Sequence, residues 1–433
     1  MLVLLVTLDC VRADHTAPSA GLAPTLAALG DEGTTFTQAF SQCQSTLPSH
    51  LSILTSNYPF QHGVYSNGVR PQLPEHALPR RLAERDWECR SLASVDFLAH
   101  LLGNEIGEAD PRYPVDEDRS LRARLARKLH GRTSGAAATI SKGIRWLSSR
   151  DRRRDTFLWL HLFDAHMLYQ APDEYLLRHV PHRRTRRPCR DQLRERGWFH
   201  TDFAEFDWEV PVEYFPARYA AAVRYQDACL ANLVSYLRKD RRWDDLLMII
   251  TADHGECLLG DHGLYCMHKK LFDSTTHVPL WIRFPRGEHS GKRVDAIVQH
   301  VDVAATVAAR VGFDEPLYMG KDLERVASGD DPGHACAFAG HVDNLVRAAR
   351  DREWVWVEQV PGTENRWGFT LEEDGLYRRD GSPAPESTRD QARKLAAELR
   401  SAVSSRPDIA EAWREPERAH RAIAERLRAL GYL

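Results

Sequence analysis

Thr46-Leu47-Pro48-Ser49-His50-Leu51-Ser52-Ile53-Leu54-Thr55 sets a hydroxyl residue two places before a proline and follows it with an amphipathic run. Pro48 suits the first turn of a helix, where its missing N–H has no partner to lose. Leu51, Ile53 and Leu54 supply an apolar stripe. Thr46 is therefore expected just ahead of a helix N-terminus, where free N–H groups and the macrodipole favour a phosphate- or sulfate-like anion. An ordinary Ser/Thr cap reads the same way locally. Two further stretches decide between these readings. Leu2 to Leu8 is a continuous apolar run that stops at Asp9, and Leu246 to Ala252 repeats the pattern before Asp253-His254-Gly255-Glu256. Both read as strands buried on two faces of a parallel sheet, each delivering a carboxylate at its C-terminal tip. Ligands of open α/β sheets gather beyond those tips. Asp9, Thr46, Asp253 and His254 are thus expected to meet as an O/O/O/N set for one divalent cation.

A chain of 433 residues suggests one large α/β domain with a smaller appendage. The expected division is 1–325 for the main domain and 326–433 for the rest. Hydrophobic content of 43% and charged content of 27% are those of an ordinary globular protein. A net charge of -3 gives no global steering toward nucleic acid or membrane, so neither is expected as a partner. The eight cysteines show no paired metal-ligand spacing. The apolar start has no basic leader and no small-residue cleavage site, and no run reaches the roughly 20 residues of a membrane span. A cytoplasmic enzyme is the expectation, its oligomeric state open.

Along the chain, residues 23–30 read as a helix and Thr34 to Thr37 as a strand. Cys43 is read as packing. Thr156 to His161 reads as another central strand with His161 in its core, followed by Asp164-Ala165-His166. A helix is expected over Pro216 to Lys239, a strand over Val278 to Phe284, and a strand and helix over 295–312. Antiparallel strands are expected at Leu345 to Ala349, Trp354 to Glu358 and Gly368 to Leu371, then helices at Thr388 to Ser404 and from Pro407 onward. The Arg-rich stretch from Asp110 to Arg153 and the run His182 to Arg187 read as solvated faces or as the mouth of an anion site.

With Asp9, Arg12-Ala13-Asp14-His15, Pro24-Thr25-Leu26, Thr46-Leu47-Pro48-Ser49-His50, His62-Gly63-Val64, Asp164-Ala165-His166, Asp253-His254-Gly255-Glu256 and Leu427 to Tyr432 in this order, the chain resembles the sulfatase-like branch of the alkaline phosphatase superfamily. The resemblance implies a three-layer α/β/α sandwich with a mostly parallel central sheet and a smaller C-terminal α+β part. It also implies a nucleophile at Thr46, with His166, His268 and Lys269 on the transferring group or leaving oxygen, and His50, Asn67 and Arg12 on the substrate side. Asn67 reads equally as a turn residue before Gly68.

Three positions depart from that family. Its sulfatases carry Cys or Ser where Thr46 stands, oxidised to formylglycine; a threonine would yield only a ketone, so no formylglycine is expected. His50 replaces the usual Arg, and Cys10 replaces a second strand-end Asp. Cys10 is a poor ligand for a hard cation and suits zinc better. A metal-activated threonine is the nucleophile elsewhere in the superfamily. No complete second ligand set is read, although His166 and His277 are available, so one ion is expected: calcium, manganese or magnesium ahead of zinc. The expected activity is hydrolysis, or transfer, of phosphate- or phosphonate-type groups from a small anionic ester. The alternatives are a sulfuric ester hydrolase working without formylglycine and a non-catalytic anion-binding relative.

Overall fold

The computed structural model describes residues 1–67, 71, 73–95, 98, 107–109, 135–167, 169–172, 174–175, 213–258, 261, 268–341, 344–363 and 371–405. Eight strands form the main sheet: β1 (Leu2–Leu8), β2 (Thr34–Phe40), β3 (Glu88–Ala93), β4 (Gly107–Ala109), β5 (Thr156–Leu162), β6 (Leu246–Ala252), β7 (Leu280–Arg283) and β8 (Arg293–Gln299). Their order is β4-β3-β5-β1-β6-β7-β2-β8, and β7 alone of these runs antiparallel to its neighbours. β1, β5 and β6 are buried along their whole length, as their unbroken apolar runs require. The Gly135–Ser148 and Tyr214–Leu237 helices pack together, and the Thr46–Thr55 helix packs on Val301–Val311. This is an α/β architecture with a large, mostly parallel sheet.

A second sheet joins β9 (Ala337–Gly340), β10 (Val346–Arg350), β11 (Trp354–Gln359) and β12 (Gly375–Arg378) in the antiparallel order β12-β11-β10-β9. The Arg389–Ser404 helix lies on it through Leu395 and Leu399, which meet Ala349 and Trp354. The division expected between 325 and 326 falls inside the Leu323–Ser328 helix, whose Leu323, Val326 and Ala327 are buried in the main core.

Several expectations are corrected. The helix begins at Thr46 itself, with Ser45 as its N-cap, so Thr46 is its first residue and not the one ahead of it. β2 continues past Thr37 to Phe40, because β8 pairs with it over that length. Leu371 is not in a strand and 368–370 lie outside the described residues; the fourth strand is Gly375–Arg378 instead. Residues 110–134, 182–187 and 406–433, where most of the Arg-rich stretches and the helix expected from Pro407 onward fall, also lie outside them.

In the sheet β5, β1 and β6 are adjacent and parallel, with Leu8 level with Leu162 on one side and with Ala252 on the other. Three chain segments therefore leave the sheet side by side at its carboxyl edge. Among the described residues, no helix is long and apolar enough to cross a membrane.

Candidate active site

The ladder runs one rung past the strands. The Asp9 N–H donates to Leu162 O (2.8 Å) and the Asp253 N–H to Leu8 O (3.3 Å), which pins both aspartates at one level. Cys10 then turns the chain with a φ of 60°, a left-handed conformation uncommon for a residue with a Cβ. Its amide donates to Asp253 Oδ1 (3.1 Å), and so does the His254 amide (2.7 Å). Asp253 Oδ1 is thus engaged by two backbone donors, while Oδ2 is buried without a hydrogen bond.

Thr46 faces this edge from the first turn of its helix. Its hydroxyl lies 3.5 Å from Asp9 Oδ2 and 3.4 Å from His254 Nε2, fully buried. His254 Nδ1 donates to the Gly255 carbonyl (2.9 Å), which leaves Nε2 as the lone pair facing Thr46. Asp253 Oδ2 stands 3.5 Å from that Nε2. Asp9 Oδ1 is likewise buried without a hydrogen bond. Two carboxylate oxygens with nothing to bind, an imidazole nitrogen and a hydroxyl fit one divalent cation, and a cation offsets the cost of burying the two acids.

The electrostatics agree. Burial, and then Asp9 beside it, raises the Asp253 carboxyl above its ordinary range. Burial also pushes Glu256 well above the carboxylate range, with Asp9 adding to it and Arg12 and Lys269 opposing. Burial lowers His161 and His166 to about 4 each and His268 well below the usual histidine value. Burial thus disfavours charge on acids and imidazoles alike.

Among the remaining expected residues, His166 and His268 come together, their rings in edge contact at 5.7 Å, with His268 also 4.6 Å from the His254 ring. Lys269 is half-buried, its carbonyl accepting from His341 Nε2 (2.7 Å). The three residues expected on the substrate side are otherwise engaged. His50 is wholly buried, donating from Nδ1 to Thr46 O (2.7 Å) and accepting from the Thr7 hydroxyl at Nε2 (3.0 Å); it supports the floor of the site. Asn67 Oδ1 accepts from the Leu47 N–H (2.7 Å) and the Ser45 hydroxyl (3.0 Å), capping the Thr46–Thr55 helix from a distance. The Arg12 guanidinium is held by Asp14, Asp261 and the Glu256 carbonyl. His277 sits apart, against Phe40 and the Thr37 carbonyl (2.9 Å), and Asp164 accepts the Ala136 N–H (3.0 Å). Residues 262–267, just before His268, lie outside the described residues.

Sequence reasoning missed His161. Its Nε2 donates to Asp9 Oδ2 at 3.0 Å, so the histidine read as strand core orients a candidate ligand. The signal was present: a single imidazole in the otherwise apolar Thr156–Leu162 strand, two residues from the sheet edge. Glu256 was also missed as a buried acid, 3.7 Å from His268 Nδ1.

Comparison with known proteins shows the family and the fold. A family model described as Sulfatase matches residues 2–313. "Uncharacterized sulfatase YidJ" of Escherichia coli strain K12 is 24% identical over 319 residues, 66% of this chain and 62% of that protein. The chain thus spans less than two thirds of that relative. "Choline-sulfatase" of Rhizobium meliloti is 27% identical over 252 residues, covering 56% of this chain and 48% of that one. Among solved structures, a phosphonate monoester hydrolase of Agrobacterium radiobacter superposes with a TM-score of 0.69 at 20% identity, over 93% of this chain and 95% of that one. Likeness at that identity shows a shared fold.

Proposed function

Since the chain belongs to the sulfatase family, we propose that it is a metal-dependent hydrolase of phosphate- or phosphonate-type esters with Thr46 as the nucleophile. The observation that carries this reading is the Thr46 hydroxyl lying 3.5 Å from Asp9 and 3.4 Å from His254, in a pocket whose aspartates keep unbonded oxygens. Asp9, Asp253 and His254, with Thr46 itself, would hold the ion. A divalent cation bound there lowers the pKa of the hydroxyl and neutralises charge on the transferred group.

The chain's own residues do the rest. Asp9 Oδ2 accepts the Thr46 hydrogen, and the helix, capped by Asn67, fixes the direction of attack. Thr46 Oγ1 forms a bond to phosphorus, the bond to the leaving oxygen breaks on the opposite side, and water then hydrolyses the phosphothreonine. His166 and His268 flank the pocket where the ester's other oxygens lie. Burial lowers both imidazoles, His166 to about 4 and His268 well below the usual histidine value.

A second reading, sulfuric ester hydrolysis by Thr46 without formylglycine, is favoured by relatives that are named sulfatases. The phosphonate monoester hydrolase likeness and the threonine favour the first. Turnover of an aryl phosphonate monoester, an aryl phosphodiester and an aryl sulfate decides between them. The expected result is hydrolysis of the phosphorus esters ahead of the sulfate, lost in Thr46→Ala. A sulfate preference overturns the first reading.

A further inference from the structure

The side of His254 away from Thr46 holds a second constellation. Cys10 Sγ lies 3.8 Å from His254 Nδ1, the nitrogen turned from the nucleophile. Cys10 Sγ and one ring nitrogen each of His166 and His268 all lie within 4.8 Å of one another, and all three residues are buried. These come from three separate elements: the turn after β1, the turn after β5 and the segment after residue 267. Their convergence is a property of the fold and not of local spacing.

Each imidazole is already oriented. His166 donates from Nδ1 to the Met167 carbonyl (3.4 Å), which makes Nε2 its accepting nitrogen. His268 turns Nδ1 toward the buried Glu256 carboxyl at 3.7 Å, beyond a hydrogen bond, and that nitrogen makes none. A carboxyl behind the outer nitrogen of an imidazole is the arrangement that holds a metal-ligating histidine in place. One thiol and two imidazoles make a Cys-His-His set, which zinc takes as three protein ligands with a fourth position open. Cys10 also stands where a hard cation gains nothing from sulfur.

We propose that Cys10, His166 and His268 bind a zinc-class ion, distinct from the ion of Asp9, Thr46, Asp253 and His254, with Glu256 as the outer partner of His268. It rests on the proposed reading of the Thr46 site only for its catalytic meaning: an ion held by His166 and His268 would add positive charge beside the pocket that these two histidines flank. Binding releases the thiol proton of Cys10 to solvent and forms one sulfur–metal and two nitrogen–metal bonds.

Cobalt(II) is the probe, since a cobalt–thiolate bond gives a near-ultraviolet charge-transfer band that oxygen and nitrogen ligands do not. The metal-stripped full chain is titrated with cobalt and, in parallel, loaded with zinc and analysed for metal content. Two ions per chain and a thiolate band are expected in the wild type. Cys10→Ser loses the band and one ion, His268→Gln weakens that ion about 10-fold or more, and Asp253→Asn keeps the band. Thr46→Ala loses turnover but keeps the band, which separates failure of this site from failure of the proposed reaction. Circular dichroism shows that each variant folds, and His268→Gln decides the matter if Cys10→Ser does not. One ion per chain, or no thiolate band in the folded wild type, overturns the second site.

Discussion

At the scale of single residues, the proposed roles of Thr46 and the acids around it make one unit, whose effects are expected not to add. Thr46→Ala is expected to lower kcat on the order of a thousandfold or more, whereas Thr46→Ser keeps the hydroxyl and a measurable rate. His161 acts one step removed, through Asp9 Oδ2 at 3.0 Å. His161→Gln is expected to weaken metal binding about 10- to 100-fold, read by competition with a chelating dye, with the fold intact by circular dichroism. His62 gives a test of stability rather than chemistry. It is fully buried, accepts the Val64 N–H (3.2 Å), and burial lowers it from 6.5 to about 3. A histidine whose folded pKa is depressed binds its proton only in the unfolded chain at intermediate pH. Its contribution is therefore whole above about 6.5 and is lost as the pH falls toward about 3. His50 and His300, also lowered to about 3 by burial, add in the same direction. Denaturant unfolding is expected to show stability falling steadily over that window, with a shallower slope in His62→Gln.

At the scale of elements, the site is the product of three strand ends held in register. Asp9 and Asp253 were legible because a long apolar run that ends on an acid identifies a buried strand and its tip together. The Thr46 segment was legible from proline placement, although its start was misjudged by one residue because Asn67, distant in sequence, supplies the capping oxygen. Asn67→Ala is expected to cost about 0.5–2 kcal/mol in unfolding free energy. Gly255 shows how tightly the loop after β6 is packed: a Cβ there would collide with the Ser274 carbonyl and stand 3.1 Å from Arg12 Cγ. Gly255→Ala is expected to displace His254 and reduce metal affinity without unfolding the sheet, checked by calorimetric metal titration beside a melting curve. His161 was not legible as a site residue, and Cys10 was legible only as the residue standing where the resemblance puts a second strand-end Asp. Which polar residue of a buried strand meets which acid depends on the pairing β5-β1-β6, and the turn at Cys10 depends on a backbone angle that no pattern of side chains announces.

At the scale of the whole molecule, the parallel sheet was readable from β1, β5 and β6, while Ala337–Gly340 and Gly375–Arg378 escaped notice. Four-residue strands without sustained alternation carry too little period to register, and their pairing is decided by neighbours far along the chain. If the buried acids hold an ion as proposed, metal and fold are expected to be interdependent. Removal of metal by a chelator is expected to lower the melting temperature and abolish turnover together, both restored by adding back a divalent ion. A stripped protein that melts unchanged and still turns over would contradict that dependence. The central claim, covalent catalysis by Thr46, is tested most directly by intact-mass and peptide mass spectrometry of the enzyme quenched during turnover of a slow aryl phosphodiester or phosphonate monoester. A transferred phosphoryl or phosphonyl group on Thr46, absent in Thr46→Ala, is the predicted result. An adduct on another residue, or undiminished turnover by Thr46→Ala, would contradict it.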